Sequence, residues 1–162
     1  MEASTNIDTL GNMVDQPDEF TLAMKREFPA VRAVVFRAFV DPNTLARWFG
    51  PKGFTIPRVE FSPRVGHPYR IAMQPPGGER FHLIGEFCVV NPPSRLAFTF
   101  VWEEPNPEDV ETRVGLSFLD LGESTEVDFT QGRFKTEERR ALHHDGWSDS
   151  FDKLERLISA QA

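Results

Sequence analysis

Two kinds of hydrophobic spacing run along this chain, and they divide it into elements. At residues 20–28, Phe20, Leu22, Met24, Arg26 and Phe28 alternate with Thr21, Ala23, Lys25 and Glu27. A period of two is the mark of a half-covered strand. Pro29 closes that strand and can open a helix, and Val31, Val34, Val35, Ala38 and Phe39 then recur at helical spacing. Asp41-Pro42 predicts a second, very short helix, with Asp as the cap and Pro in the first turn. Leu45, Trp48 and Phe49 form its apolar face, and Gly50-Pro51 ends it.

The middle of the chain returns to strands, at 54–61, 69–73, 81–90, 95–102, 110–119 and 124–131. Short Pro- and Gly-containing connectors separate them, so neighbours should pair antiparallel. Val114, Leu116 and Phe118 oppose Arg113, Gly115 and Ser117, and Val127 and Phe129 oppose Glu126, Asp128 and Thr130. One face of that sheet is therefore covered and the other wet. The cover is a last helix at 136–159, capped by Thr136 with Glu137 and Glu138 in its first turn. Steps of about 100° from Trp147 bring Phe151, Leu154 and Ile158 onto one stripe. Toward the N-terminus that stripe meets His144, His143 and Arg140. Its apolar half should pack on the sheet, and its polar half should overlie a region that needs hydrogen bonds or admits water. Gly146, costly inside a helix, points to a close backbone approach or a bulge beside Trp147.

Composition narrows the function. The 162 residues suit one domain, read as residues 19–160 behind a flexible tail at 1–18 in which a short helix from Ile7 to Val14 is conceivable. Fifteen Phe against one Tyr supply apolar bulk with few polar tips, as a greasy interior or pocket requires. The net charge of -7 and the lack of a basic run argue against nucleic acid and against adsorption to anionic membrane. No stretch of about 18 apolar residues exists to span a bilayer. The acidic start of the chain has the wrong sign for a targeting peptide. The single cysteine, Cys88, cannot close an internal disulfide, and the reducing cytosol is the expected compartment.

Candidate chemistry is thin. His67, His82, His143 and His144 lack metal-ligand spacing, Cys88 lies in an apolar strand as expected of an inert thiol, and no serine elbow is present. Gln74-Pro75-Pro76-Gly77-Gly78 reads as a hairpin tip, and Glu103-Glu104 and Glu108-Asp109 read as solvated connector charges. Arg26, on a covered face, must find a carboxylate or carbonyl partner. No residue is assigned to catalysis or to a metal, and no cofactor is implied.

From Phe20 to Ile158 the chain resembles the SRPBCC (START-like) superfamily, and specifically the homologue family of the heat-shock protein 90 ATPase activator. The resemblance is carried by Arg26-Glu27-Phe28-Pro29-Ala30, by Asp41-Pro42-Asn43-Thr44-Leu45-Ala46-Arg47-Trp48-Phe49-Gly50-Pro51, and by Arg64-Val65-Gly66. It continues through Gly85-Glu86-Phe87, Pro92-Pro93-Ser94-Arg95-Leu96, Ser124-Thr125-Glu126-Val127 and His144-Asp145-Gly146-Trp147. It implies an α+β helix-grip (START/Bet v 1-like) fold: a curved antiparallel sheet wrapping a long C-terminal helix, with two short helices after strand 1. The same resemblance implies a cavity for an apolar small molecule between sheet and helix. Trp48, Met73, Phe98, Phe100, Trp102, Phe118, Phe129, His144, Trp147 and Phe151 are the expected ligand-binding residues. Ser62 to His67 departs from the family pattern and places His67 near a possible entrance. Non-catalytic binding is the leading expectation. A cyclase- or hydrolase-like enzyme using the same cavity and a chaperone-ATPase-activating module are the alternatives, with a homodimer or a chaperone as possible protein partners.

Overall fold

A computed structural model describes residues 20–161; the tail at 1–18 and the conceivable helix within it lie outside the described residues. The element order is β1 (Leu22–Phe28), α1 (Arg32–Val40), α2 (Pro42–Leu45), β2 (Thr55–Phe61), β3 (Pro68–Gln74), β4 (Phe81–Asn91), β5 (Arg95–Trp102), β6 (Thr112–Asp120), β7 (Thr125–Gly132) and α3 (Glu137–Gln161). Seven strands form one antiparallel sheet in the order β1-β7-β6-β5-β4-β3-β2. Hairpin connections build all of it except the β1–β7 pair, where Leu22 faces Gln131 and Phe28 faces Thr125. The curved sheet, the long final helix and the two short helices after β1 are the helix-grip architecture that the resemblance implies.

Local chemistry explains the elements. Asp41 caps α2, its carboxylate accepting from the Asn43 backbone at 3.2 Å and the Thr44 hydroxyl at 3.0 Å. The Thr136 hydroxyl accepts from the Arg139 backbone at 3.1 Å and so caps α3. On α1 the buried residues are Val35, Phe36, Ala38 and Phe39, whereas Val31, the N-cap, and Val34 stay exposed. Val35, Ala38 and Phe39 of the expected stripe are thus buried, while Phe36 takes the place of Val31 and Val34. β6 and β7 keep the expected alternation, with Val114, Leu116, Phe118, Val127 and Phe129 all buried.

Curvature has visible sources. β4 carries an irregularity between Phe87 and Val89, which makes Cys88 the extra residue of a bulge; such an insertion bends the strand and sharpens its twist. Cys88 is accordingly half-buried, not sealed into the core as its apolar neighbours suggest. At Gly85 the Tyr69 ring lies where a Cβ would stand, and the Tyr69 hydroxyl donates to the Thr99 carbonyl at 2.6 Å.

The core fills the space between α3 and β1, β6 and β7. Phe151 stacks edge-on against Phe28 and Phe129, with ring centroids 5.8 Å apart in both pairs. Trp48 is fully buried and gives its indole N–H to the Ala38 carbonyl at 3.0 Å. Arg26 leaves β1 to meet α3, where Glu155 accepts from it at 3.1 Å and Asp152 completes the pair. That is the structural ion pair expected of an arginine on a covered face. Among the described residues no helix is long and apolar enough to cross a membrane.

Candidate functional site

The sheet and α3 do not close on each other everywhere. A cavity of about 500 Å³ opens between the N-terminal half of α3, the Phe49–Phe54 connection, the ends of β3, β4 and β5, and the β5–β6 connector. That volume lies within the range of small-molecule sites. Its deep wall is apolar: Phe49, Phe54, Met73, Phe81, Phe100, Trp102 and Trp147. The rings brace one another, Phe100 against Trp102 at 5.1 Å and Phe49 against Trp147 at 5.4 Å between centroids. Glu104, Asn106, Asp109, Arg139, Leu142, Asp145 and Asp149 provide the polar and rim positions.

The polar groups of the deep wall are paired with protein. Gln131, fully buried on β7, accepts the Trp147 indole N–H at 2.8 Å and donates to the Thr112 hydroxyl at 2.9 Å. His143 sits between two groups that fix its tautomer. The Arg139 carbonyl, 2.7 Å from Nδ1, can only accept, and the Trp102 indole, 3.1 Å from the other ring nitrogen, can only donate. His143 therefore carries its proton on Nδ1 and is neutral. Burial pushes its pKa below the usual histidine value, against the opposing pull of the Arg139 carbonyl.

The loop after α2 is fastened across the top of this wall by α3. The Ser150 hydroxyl accepts from the Gly50 backbone at 3.0 Å, and Asp149 accepts from the Lys52 backbone at 3.0 Å. The Lys153 ammonium lies 3.4 Å and 3.3 Å from the Phe49 and Pro51 carbonyls. Gly146 faces this loop: a Cβ there would stand 3.6 Å from Pro51, in ordinary contact. The predicted approach of chain to chain beside Trp147 is present, although it would admit alanine.

Four of the expected residues, Met73, Phe100, Trp102 and Trp147, line the cavity. Trp48 and Phe98 face a second hollow of only about 30 Å³, far below ligand size. Phe118, Phe129 and Phe151 are buried core and line neither space. His144 points away: its side chain is 47% exposed and reaches only its neighbour Asp145, at 3.2 Å. The reason is helical geometry. Relative to Trp147, steps of about 100° put His144 on one flank of the stripe and His143, Gly146 and Ser150 on the other. The cavity lies on the second flank. A row of small and polar residues, Arg139, His143, Gly146 and Ser150, runs beside the apolar stripe at spacings of four, three and four; this was the signal in the sequence. His67 is exposed and takes no part in the cavity.

Of the connector charges, Glu103, Glu104 and Glu108 are exposed as expected, and Asp109 departs from the expectation. Asp109 is not solvated; its side chain is 9% exposed and accepts from Arg139 at 2.6 Å. Glu104 lies at the cavity rim and accepts from the His82 ring at 2.8 Å, a hydrogen bond that holds its carboxyl below the usual range. His82, Glu103 and Glu104 bring three ligand-type atoms within 4.8 Å of one another. Arg70, 2.9 Å from Glu103, already neutralises part of that trio.

The comparisons with known proteins agree with this geometry. The family model described as Activator of Hsp90 ATPase homolog 1-like protein matches residues 29–159. The chain belongs to that family. Among solved structures, a protein from Nitrosomonas europaea is similar at 26% identity and a TM-score of 0.75, over 88% of this chain and 96% of its own. An AHSA1 protein from Silicibacter pomeroyi is 24% identical with a TM-score of 0.78, over 88% and 99%. One from Chromobacterium violaceum is 23% identical with a TM-score of 0.79, over 86% and 96%. No curated protein matches the sequence. The AHSA1-like membership fixes the fold and names no ligand.

Proposed function

We propose that this AHSA1-like chain binds an apolar small molecule in the cavity between the sheet and α3, without turning it over, in a cytoplasmic setting. The observation that carries the reading is the cavity of about 500 Å³ walled by aromatic rings, a size and lining suited to burying an apolar body. A general base needs a free lone pair within reach of its target. His143 is the histidine at this wall, and both of its ring nitrogens are engaged. That favours binding over acid–base chemistry by histidine at this wall. Cys88, half-buried in a strand bulge, suits a reducing compartment.

The test is calorimetric titration with the neutral probe N-phenyl-1-naphthylamine. Saturable binding of one molecule per chain is expected, with quenching of tryptophan fluorescence. Gly146→Leu should abolish it, because Gly146 lines the cavity and a leucine there takes up space the ligand needs. Unsaturable binding, or equal binding by a folded Gly146→Leu variant, would remove the cavity from the account.

A further inference from the structure

The two ends of the cavity differ in charge, and that difference bears on what it can hold. The deep wall offers a ligand little to hydrogen-bond. Trp102 gives its N–H to His143, Trp147 to Gln131, and the Ser150 hydroxyl lies within 3.1 Å of the Gly50 and Gly146 carbonyls. An apolar body fits there, and a polar head group must sit at the rim.

The rim is acidic. Glu104, Asp109, Asp145 and Asp149 line it, with Arg139 as the lining cation. Arg139 is spent on Asp109, 2.6 Å away, and its Nε is shielded and without a partner, out of reach of a head group. Lys153 offsets part of the charge of Asp149. Glu104 is hydrogen-bonded by His82, and Asp145, with its side chain 81% exposed, stands open to the mouth. The excess of carboxylates repels an anionic head and attracts a cationic one. Trp102 and Trp147, which line the same cavity, are the ring types that best attract a positive charge.

We infer that the cavity selects molecules whose apolar body ends in a protonated amine, and rejects the corresponding carboxylic acids. This rests on the binding reading above and names the ligand class it implies. Exposed charges interact weakly one by one, so the expected preference is about tenfold at low salt, and it narrows as salt screens the rim.

Three probes of one shape decide it: 2-(1-naphthyl)ethylamine, 2-(1-naphthyl)ethanol and 1-naphthylacetic acid. They are titrated calorimetrically at pH 8, where the aliphatic amine is still protonated. The expected order is amine, alcohol, acid, with about tenfold between first and last. In the double variant Asp145→Asn, Asp149→Asn the amine-to-acid ratio should fall to about threefold, since two of the rim charges are gone. An acid that binds as well as the amine overturns the inference and leaves the cavity reading standing, as does a ratio unchanged in the double variant. Failure of all three probes to bind overturns both.

Discussion

Replacing Gln131 with leucine tests how the Trp147 wall is held. Gln131 is fully buried and serves both the Trp147 indole N–H at 2.8 Å and the Thr112 hydroxyl at 2.9 Å. Leucine is close in volume, so little cavity is made, but two buried polar groups lose their partner. An orphaned buried donor costs about 1–3 kcal/mol. The Thr112 hydroxyl loses only a donor to its oxygen and keeps its own O–H to give. The indole has less freedom, because its ring is wedged against Phe129, 4.6 Å away between centroids. The loss should therefore be about 2–3 kcal/mol, most of it through Trp147. That lowers Tm by roughly 5–10 °C for a domain of this size. Urea unfolding measures the cost, and a double-mutant cycle with Trp147→Phe assigns it. Once the indole donor is gone, Gln131→Leu should cost at least about 1 kcal/mol less. Two substitutions additive within about 0.5 kcal/mol would refute the claim that this hydrogen bond holds the wall.

Three further outcomes follow from the geometry. The pKa of folded His143 lies below its unfolded value, so the unfolded chain takes up the proton first as pH falls. Its stabilisation is complete above about pH 6.5 and is lost as pH drops below that. Urea unfolding at pH 7.5 and 5.5 should show a larger loss for the wild type than for His143→Gln; equal losses would contradict the buried neutral histidine. Gly85→Ala should destabilise by about 3 kcal/mol or prevent folding, since its Cβ would fall 2.1 Å from the Thr99 carbonyl and 2.6 Å from the Tyr69 ring. A variant that melts like the wild type would show that the strand yields there. Gly146→Ala should stabilise α3 by up to about 1 kcal/mol, because its Cβ meets Pro51 only at 3.6 Å. A fall in Tm would mean that the loop cannot tolerate even that contact.

Elements whose causes are local were legible in the sequence. Asp41-Pro42 marked α2, the alternation in β6 and β7 marked the buried sheet face, and the Trp147–Phe151–Leu154–Ile158 stripe marked the face of α3 that packs. The position of the cavity was not local. It depends on a loop fastened by Ser150, Asp149 and Lys153, about a hundred positions away in the chain. Choosing His144 over His143 reflects the same limit. Both lie near the apolar stripe; the row Arg139, His143, Gly146 and Ser150 marks the open flank, and the packing of α3 on the sheet is what leaves it open. Asp109 read as solvated because its partner Arg139 comes from another element. Phe118, Phe129 and Phe151 have the composition of a pocket wall, but neighbouring rings fill the space in front of them.

The central claim is that the space beside Trp102 and Trp147 is occupied by a ligand's apolar body. Intermolecular NMR contacts from bound N-phenyl-1-naphthylamine test it most directly. Cross-peaks to the indole protons of Trp102 and Trp147 and to the Met73 methyl are expected. Contacts confined to outward-facing residues such as Val31, Val34 and Leu121, with none to the indoles, would contradict it.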